Sequence, residues 1–255
     1  MSSRQVLLDQ LALLRMTAFR QGLEAQFASP EYDALSFEER LSLLVEQEVV
    51  QRDNNRVQRR ILQARFQQTA LVQDIDFSTQ RGLQRSQVLQ LAQTTWIIKA
   101  LNLIVLGPTG AGKTFIASAL GRAACEQNLI VRYYRLPILF QEIKIAQLEG
   151  EYFRLIKLLN KTDLLILDDW LRDPPTLSEA QSLLDILDNR YSRSSTLLAT
   201  QFPIDIWHSR IPDPTLADAI LDRLVHNAHR IELQGDSQRK LRAVRVASKE
   251  NVTMR

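Results

Sequence analysis

Leu103-Ile-Val-Leu106 followed by Gly107-Pro108-Thr109-Gly110-Ala111-Gly112-Lys113-Thr114 is the stretch that decides the fold. The first four residues read as a buried strand, and Phe115-Ile-Ala-Ser-Ala-Leu-Gly-Arg-Ala-Ala-Cys125 has helical composition and periodicity. A glycine-rich turn between a strand and a helix lets consecutive N–H groups point inward at a phosphate, and the helix N-terminus adds partial positive charge. The pattern predicts a P-loop that binds ATP through Gly107, Pro108, Thr109, Gly110, Ala111, Gly112, Lys113, Thr114 and Phe115. Lys113 reaches the β- and γ-phosphates in such a loop, and the Thr114 hydroxyl ligates Mg²⁺.

Downstream, short apolar runs alternate with helical stretches, which argues for an α/β core with a parallel sheet flanked by helices. The expected strands are Leu103–Leu106, Leu129–Tyr134, Leu164–Leu167 and Thr196–Thr200, with a short strand or edge at Arg230–Leu233. Leu164-Leu-Ile-Leu-Asp168-Asp169 ends an apolar strand in two acids, so Asp168 is the candidate for holding Mg²⁺ and Asp169 for orienting the attacking water. Gln201 follows another strand and is placed to meet the γ-phosphate or the water, with Thr200 in reserve. Two helical segments, Leu136–Glu149 and Glu151–Leu159, lie where one crossover helix would suffice. Further helices are expected over Thr176–Tyr191 and Thr215–Asn227.

Upstream, Leu7, Leu8, Leu11, Leu14, Phe19 and Leu23 recur at helical spacing and predict one amphipathic helix to about Phe27, ended by Ala28-Ser29-Pro30. Ser36-Phe-Glu-Glu39 is a capping box that starts a second helix. That helix turns basic, with Arg52, Arg56, Arg59, Arg60 and Arg65 against Asp53 alone. Residues 1–72 are therefore expected to form a helical N-terminal domain that contacts DNA or a partner. Residues 73–255, entered through the polar stretch Gln73–Gln84, are expected to form the ATPase domain.

The 255 residues carry 45% apolar side chains and a formal charge of +3, enough for a packed core and too little net charge to name a partner. The basic residues cluster, in the arginine-rich helix and again in the tail from Arg239 to Arg255. Cys125 is the only cysteine, so no internal disulfide forms. No membrane-length apolar stretch and no leader pattern occur, which predicts a cytoplasmic protein. His226 and His229 lack companions for a metal site, and Trp170 and Trp207 read as packing residues. Trp96, just before the first strand, is placed to lie near the adenine. Three late arginines, Arg223, Arg230 and Arg239, are candidates to stabilise charge on the transferred phosphoryl group from across a subunit boundary.

Taken with Asp74-Ile-Asp-Phe77, Val131-Arg-Tyr-Tyr-Arg-Leu-Pro137 and above all Asp213-Pro-Thr-Leu-Ala-Asp-Ala-Ile-Leu-Asp-Arg-Leu-Val-His-Asn-Ala-His-Arg-Ile231, these motifs resemble the AAA+ superfamily. The similarity is to the branch of DnaC-type helicase loaders and IstB-type transposition helper ATPases, the IstB type more closely. The resemblance implies a P-loop AAA+ core, a small all-helical N-terminal domain and a reduced C-terminal lid. Carried over, Lys113 and Thr114 fall on Walker A, Asp168 and Asp169 on Walker B, Gln201 on sensor 1 and Arg239 on sensor 2. Arg223 falls where an arginine finger is expected, giving a catalytic set of Lys113, Asp168, Asp169, Gln201, Arg223 and Arg239. The branch also carries an extra helix that projects toward nucleic acid. That implies phosphate contacts from Lys144, Arg154, Lys157 and Lys161, besides Arg56, Arg59 and Arg60. The implied partners are duplex DNA, a transposase and further copies of the chain, with ATP between subunits. A helicase loader and a nucleotide-gated scaffold with little hydrolysis are the alternatives.

Overall fold

The first described helices are α1 (Ser3–Leu13), α2 (Thr17–Ala28) and α3 (Phe37–Ala64). They belong to a computed structural model that describes residues 3–77 and 82–235. The single helix expected up to Phe27 is two, because α1 closes on itself. Arg15 adopts φ 56°, and the N–H groups of Met16 and Arg15 return to the carbonyls of Leu11 and Ala12. That is a Schellman stop with arginine in the place usually held by glycine. The capping box forms as read: Ser36 N–H donates to Glu39 Oε2 at 2.7 Å, and Glu39 N–H donates to Ser36 Oγ at 3.2 Å.

No side chain caps α2 from its own N-cap residue, Met16. Glu48 of α3 does so from a distance, accepting the Phe19 N–H at 3.0 Å and Arg52 Nε at 2.7 Å. Burial alone would raise the Glu48 pKa, but those hydrogen bonds outweigh it and hold the carboxyl below the usual glutamate range. A carboxyl lowered in the folded state stabilises it above the unfolded pKa, and this is lost as pH falls through the folded value. Glu48→Ala is expected to lose about 1 kcal/mol by leaving the α2 N–H groups uncapped. Acid unfolding followed by helical circular dichroism should then show a smaller loss between pH 5 and 3, about the range where carboxyls titrate, in the variant than in the parent. An unchanged acid limb would exclude the capping role.

The chain divides into two compact units between Arg59 and Arg60. In the second unit, α4 (Arg85–Ala92) and α5 (Thr95–Ile98) lead into β1 (Asn102–Leu106), α6 (Lys113–Glu126) and β2 (Val131–Arg135). Then come α7 (Leu136–Leu148), α8 (Tyr152–Asn160), β3 (Leu164–Asp168), α9 (Leu177–Arg190), β4 (Ser195–Thr200), α10 (Trp207–Arg210), α11 (Pro214–Val225) and β5 (Ala228–Glu232). The sheet order is β2-β3-β4-β1-β5, with every neighbouring pair parallel. Side chains alternate between its faces. Leu103, Val105, Val131, Tyr133, Leu164 and Ile166 pack on the side of α6. Ile104, Tyr134, Leu165, Leu167 and Leu198 pack on the side of α7, α9 and α11. Both faces are covered, which is why Leu103–Leu106 of β1 and Leu164–Leu167 of β3 read as unbroken apolar runs.

Among the described residues no helix is long and apolar enough to cross a membrane. Burial pushes the Cys125 thiol up to about 12, so it packs as an apolar side chain. Trp96 does not lie near the loop after β1. Its indole donates to Leu91 O at 2.9 Å, and its carbonyl faces Ser195 Oγ, where β4 begins. The loop lies at the opposite end of the strands, so Trp96 packs against the sheet floor. The C-terminal lid and Arg239 lie outside the described residues.

Candidate nucleotide-binding site

The loop between β1 and α6 has the backbone that its glycines foretell. Gly110 and Gly112 sit at φ 83° and 95°, and Gly112 occupies the N-cap of α6 with no side chain capping the helix. The N-cap thus brings no side chain of its own to this helix end, whose partial positive charge suits an anion. Gly107 is at φ 154°, and a Cβ there would come within 2.8 Å of both the Cβ and the carbonyl oxygen of Leu233, just past β5. Only glycine allows the loop to leave β1 this close to the neighbouring chain. Lys113 Nζ donates to the carbonyls of Gly107 at 2.8 Å and Pro108 at 2.9 Å, which holds its ammonium at the loop mouth.

β3 is separated from β1 by β4, so the two acids approach the loop across the end of β4. Asp168 shares the α6 face of β3 with Ile166 and Leu164, two and four residues back. It is 3% exposed and takes three hydrogen bonds: Thr114 Oγ1 and Tyr133 OH each donate to Oδ2 at 2.6 Å, and the Asp169 N–H donates to Oδ1 at 2.8 Å. Thr114 and Asp168, 54 positions apart, thus form one oxygen-only donor set, the kind a hard divalent cation prefers. Mg²⁺ fits these two residues, and the Thr114 hydroxyl and the Asp168 carboxylate are the groups that would hold it.

Asp169 is arranged differently. It sits in the left-handed region at φ 54°, and its Oδ2 accepts Arg135 Nε at 2.7 Å and Arg172 Nη1 at 3.2 Å. Arg172 also binds Asp173 through Nε and Nη2, and Arg210 holds the carbonyls of Leu171 and Arg172 at 2.7 Å. The hydrogen bond from Arg172 lowers the Asp173 carboxyl below its ordinary range. The second acid is thus engaged by two guanidinium groups.

Gln201 stands at the end of β4, exposed, and its Oε1 accepts the Thr109 hydroxyl. That contact ties the loop to the neighbouring strand end and keeps Gln201 at the mouth. Thr200 is no reserve for it. Its buried hydroxyl donates to Trp170 O at 3.0 Å and accepts the Phe202 N–H at 3.1 Å, so it shapes the turn. Trp170 and Trp207 pack together with ring centroids 5.6 Å apart.

Of the late arginines, Arg223 and Arg230 lie among the described residues, and neither is at this loop. The Arg223 carbonyl accepts Asn102 Nδ2 at 2.9 Å, which puts this residue at the start of β1 while the loop follows its end. A five-residue strand separates the two levels by about 13 Å at the rise of a β-strand. The Arg223 guanidinium binds Asp188 of α9 and the Ala219 carbonyl. Arg230 is exposed on the edge strand β5.

Of the expected DNA contacts, Arg154, Lys157 and Lys161 line one groove of about 670 Å³ between α7 and α8, together with Glu142, Glu149 and Glu151. Lys144 is exposed on α7 outside that lining. Arg56 pairs with Asp53 at 2.8 Å, Arg59 donates to Asn55 O at 3.3 Å, and Arg60 binds Asn128 Oδ1.

Three residues of the site were not singled out in the sequence: Tyr133, Arg135 and Arg172. Tyr133 and Arg135 are two apart on β2 and so share a face, and Arg135 is in register with Asp168. The alternation was visible, but pairing β2 with β3 needed the sheet order.

Residues 9–246 match the family described as IstB-like ATP binding protein. Two insertion sequence ATP-binding proteins of Sinorhizobium fredii are similar along almost their whole length. Protein y4uH is 43% identical over 237 residues, 92% of this chain and 94% of its own. Protein y4pL is 40% identical over 233 residues, 91% of this chain and 95% of its own. The crystal structure of the DnaC helicase loader superposes with a TM-score of 0.55 at 16% identity, covering 65% of this chain and 97% of that one, which is a likeness of fold.

Proposed function

Because the chain belongs to the IstB-like ATP binding protein family, we propose that it is an ATPase that oligomerises on duplex target DNA with ATP bound and assists a partner transposase in engaging that DNA. The observation that carries the reading is the convergence of Lys113, Thr114 and Asp168 on one loop mouth at a helix N-terminus. In that place Lys113 would neutralise the β- and γ-phosphates, and the Thr114 hydroxyl and Asp168 carboxylate would hold Mg²⁺, which would supply further charge neutralisation. Gln201, and Asp169 once an oxygen is released from its arginines, are the groups this reading assigns to the attacking water.

The grip of Arg135 and Arg172 on Asp169 supports slow hydrolysis by a lone subunit. A base must turn an oxygen to the water, and here two guanidinium groups on Oδ2 fix the orientation of the carboxylate. Arg223 sits at the other end of β1 from its own loop, which favours a role toward a neighbouring subunit's nucleotide. Arg154 and Lys157 of α8 and Lys161 just past its end are the phosphate contacts this reading prefers. They would position DNA without reading its sequence.

The test is binding of the purified protein to duplex and to single-stranded DNA of equal length, with ATP, with ADP and without nucleotide. Tight ATP-dependent binding that prefers duplex and weakens with added salt is expected. A preference for single strands would replace the transposition helper by a helicase loader. Binding indifferent to nucleotide would remove the ATP-gated mechanism.

A further inference from the structure

The Tyr133 hydroxyl is the third donor on the carboxylate assigned to the metal, and it comes from neither Walker motif. It lies 2.6 Å from Asp168 Oδ2 and 3.0 Å from Gln67 Oε1. A phenol has one proton. With that proton on Asp168, the phenol oxygen accepts from the Gln67 amide, whose two ends exchange by a simple flip. The residues are then linked in one direction, Gln67 to Tyr133 to Asp168.

The segment that holds Gln67 is seated on the nucleotide helix. Phe66 meets the Tyr133 ring edge-on, with centroids 6.5 Å apart. A Cβ at Gly121 of α6 would come within 2.7 Å of the Phe66 ring, so Gly121 leaves the notch that Phe66 fills. Arg65 pairs with Glu142 of α7, and Arg132 of β2 holds the Gln63 carbonyl.

We infer that Tyr133 is a positioning residue: its hydroxyl orients Asp168 toward the metal and reports metal occupancy to residues 61–70. A carboxylate has about four lone-pair sites. Thr114, Tyr133 and the Asp169 N–H fill three, which leaves one direction open and aims it. Removing the Tyr133 hydroxyl frees a second direction and lets the carboxylate turn. The inference rests on the assignment of Asp168 to the metal in the proposed function.

Tyr133→Phe keeps the ring that packs on Phe66 and removes only the hydroxyl. The experiment measures binding of a fluorescent ATP analogue across a Mg²⁺ titration and in EDTA, together with amide exchange of residues 61–70, for the parent, Tyr133→Phe and Asp168→Asn. The expected result for Tyr133→Phe is about a tenfold rise in the Mg²⁺ needed for half-maximal binding, from loss of one hydrogen bond to a charged group. Affinity in EDTA should be unchanged, and the exchange of residues 61–70 should no longer respond to Mg²⁺. If Asp168→Asn destroys the Mg²⁺ dependence while Tyr133→Phe leaves both readouts as in the parent, the inference is overturned and the Asp168 assignment stands. If Asp168→Asn itself leaves the Mg²⁺ dependence intact, both fall together.

Discussion

Lys113→Ala is expected to cut ATP turnover by about two to three orders of magnitude, the usual cost of removing one preorganised donor from a site of developing charge. The ammonium is already at the loop mouth, 2.8 and 2.9 Å from two loop carbonyls. Phosphate oxygens arriving there would exchange those neutral acceptors for charged ones, and charge-assisted hydrogen bonds are roughly twice as strong. The loss is expected in affinity as well as turnover, because both the ground state and the transition state carry phosphate charge at this point. Lys113→Arg is expected to rescue little, since a planar fork is not interchangeable with a compact ammonium in a tight loop. Turnover and binding of a fluorescent analogue measure the two effects, with circular dichroism as the control for folding. A Lys113→Ala protein that kept most of the parent's turnover would place the chemistry somewhere other than this loop.

The largest structural effect is expected at the far end of the sheet. Arg190 closes α9, is 1% exposed, and spends its guanidinium on the carbonyls of Leu159 at 2.6 Å, Thr162 at 2.8 Å and Ser195 at 2.6 Å. It thereby ties the end of α8, the entry to β3 and the start of β4 into one joint. Burial lowers its pKa to about 10, the mark of a charge with little solvent around it. Arg190→Met keeps most of the volume but orphans three buried carbonyls, each costing on the order of 1–3 kcal/mol. Relief from burying the guanidinium offsets part of this. A net loss of about 3 kcal/mol remains, which for a chain of this size lowers Tm by roughly 10 °C. Thermal unfolding of the two proteins tests it, and a Tm within about 2 °C of the parent would show that the joint is held by packing alone. Arg190→Lys should fall between them, since an ammonium cannot reach three diverging carbonyls.

These two arginine and lysine sites differ in how they could be recognised. Lys113 stands inside a contiguous pattern whose loop geometry is written by Gly107, Gly110 and Gly112. Arg190 ends an ordinary amphipathic helix, and its partners lie 31, 28 and 5 positions away. The same contrast runs through the nucleotide site. Asp168 was legible because an apolar strand ending in an acid after a P-loop is a local signal. Tyr133 was not, because β2 and β3 had to be laid side by side before its hydroxyl and that acid could meet. Asp169 was readable as an acid, whereas the two arginines that hold it come from the end of β2 and the turn after β3.

Local chemistry, then, is what the sequence by itself determined: the alternation of strands and helices, the glycine loop and its lysine and threonine, the first acid of β3, and the Ser36 capping box. Each depends on residues within a few positions of one another, where backbone geometry allows few alternatives. Register and the crossing of strand ends were decided only by the tertiary structure. They placed Thr114 and Tyr133 on the same Asp168 oxygen, drew Asp169 into an arginine clamp, consumed the Thr200 hydroxyl in a turn and sent Trp96 to the floor of the sheet. Those outcomes depend on which buried faces pack together, and side chains separated by tens of residues meet only after the sheet order is set.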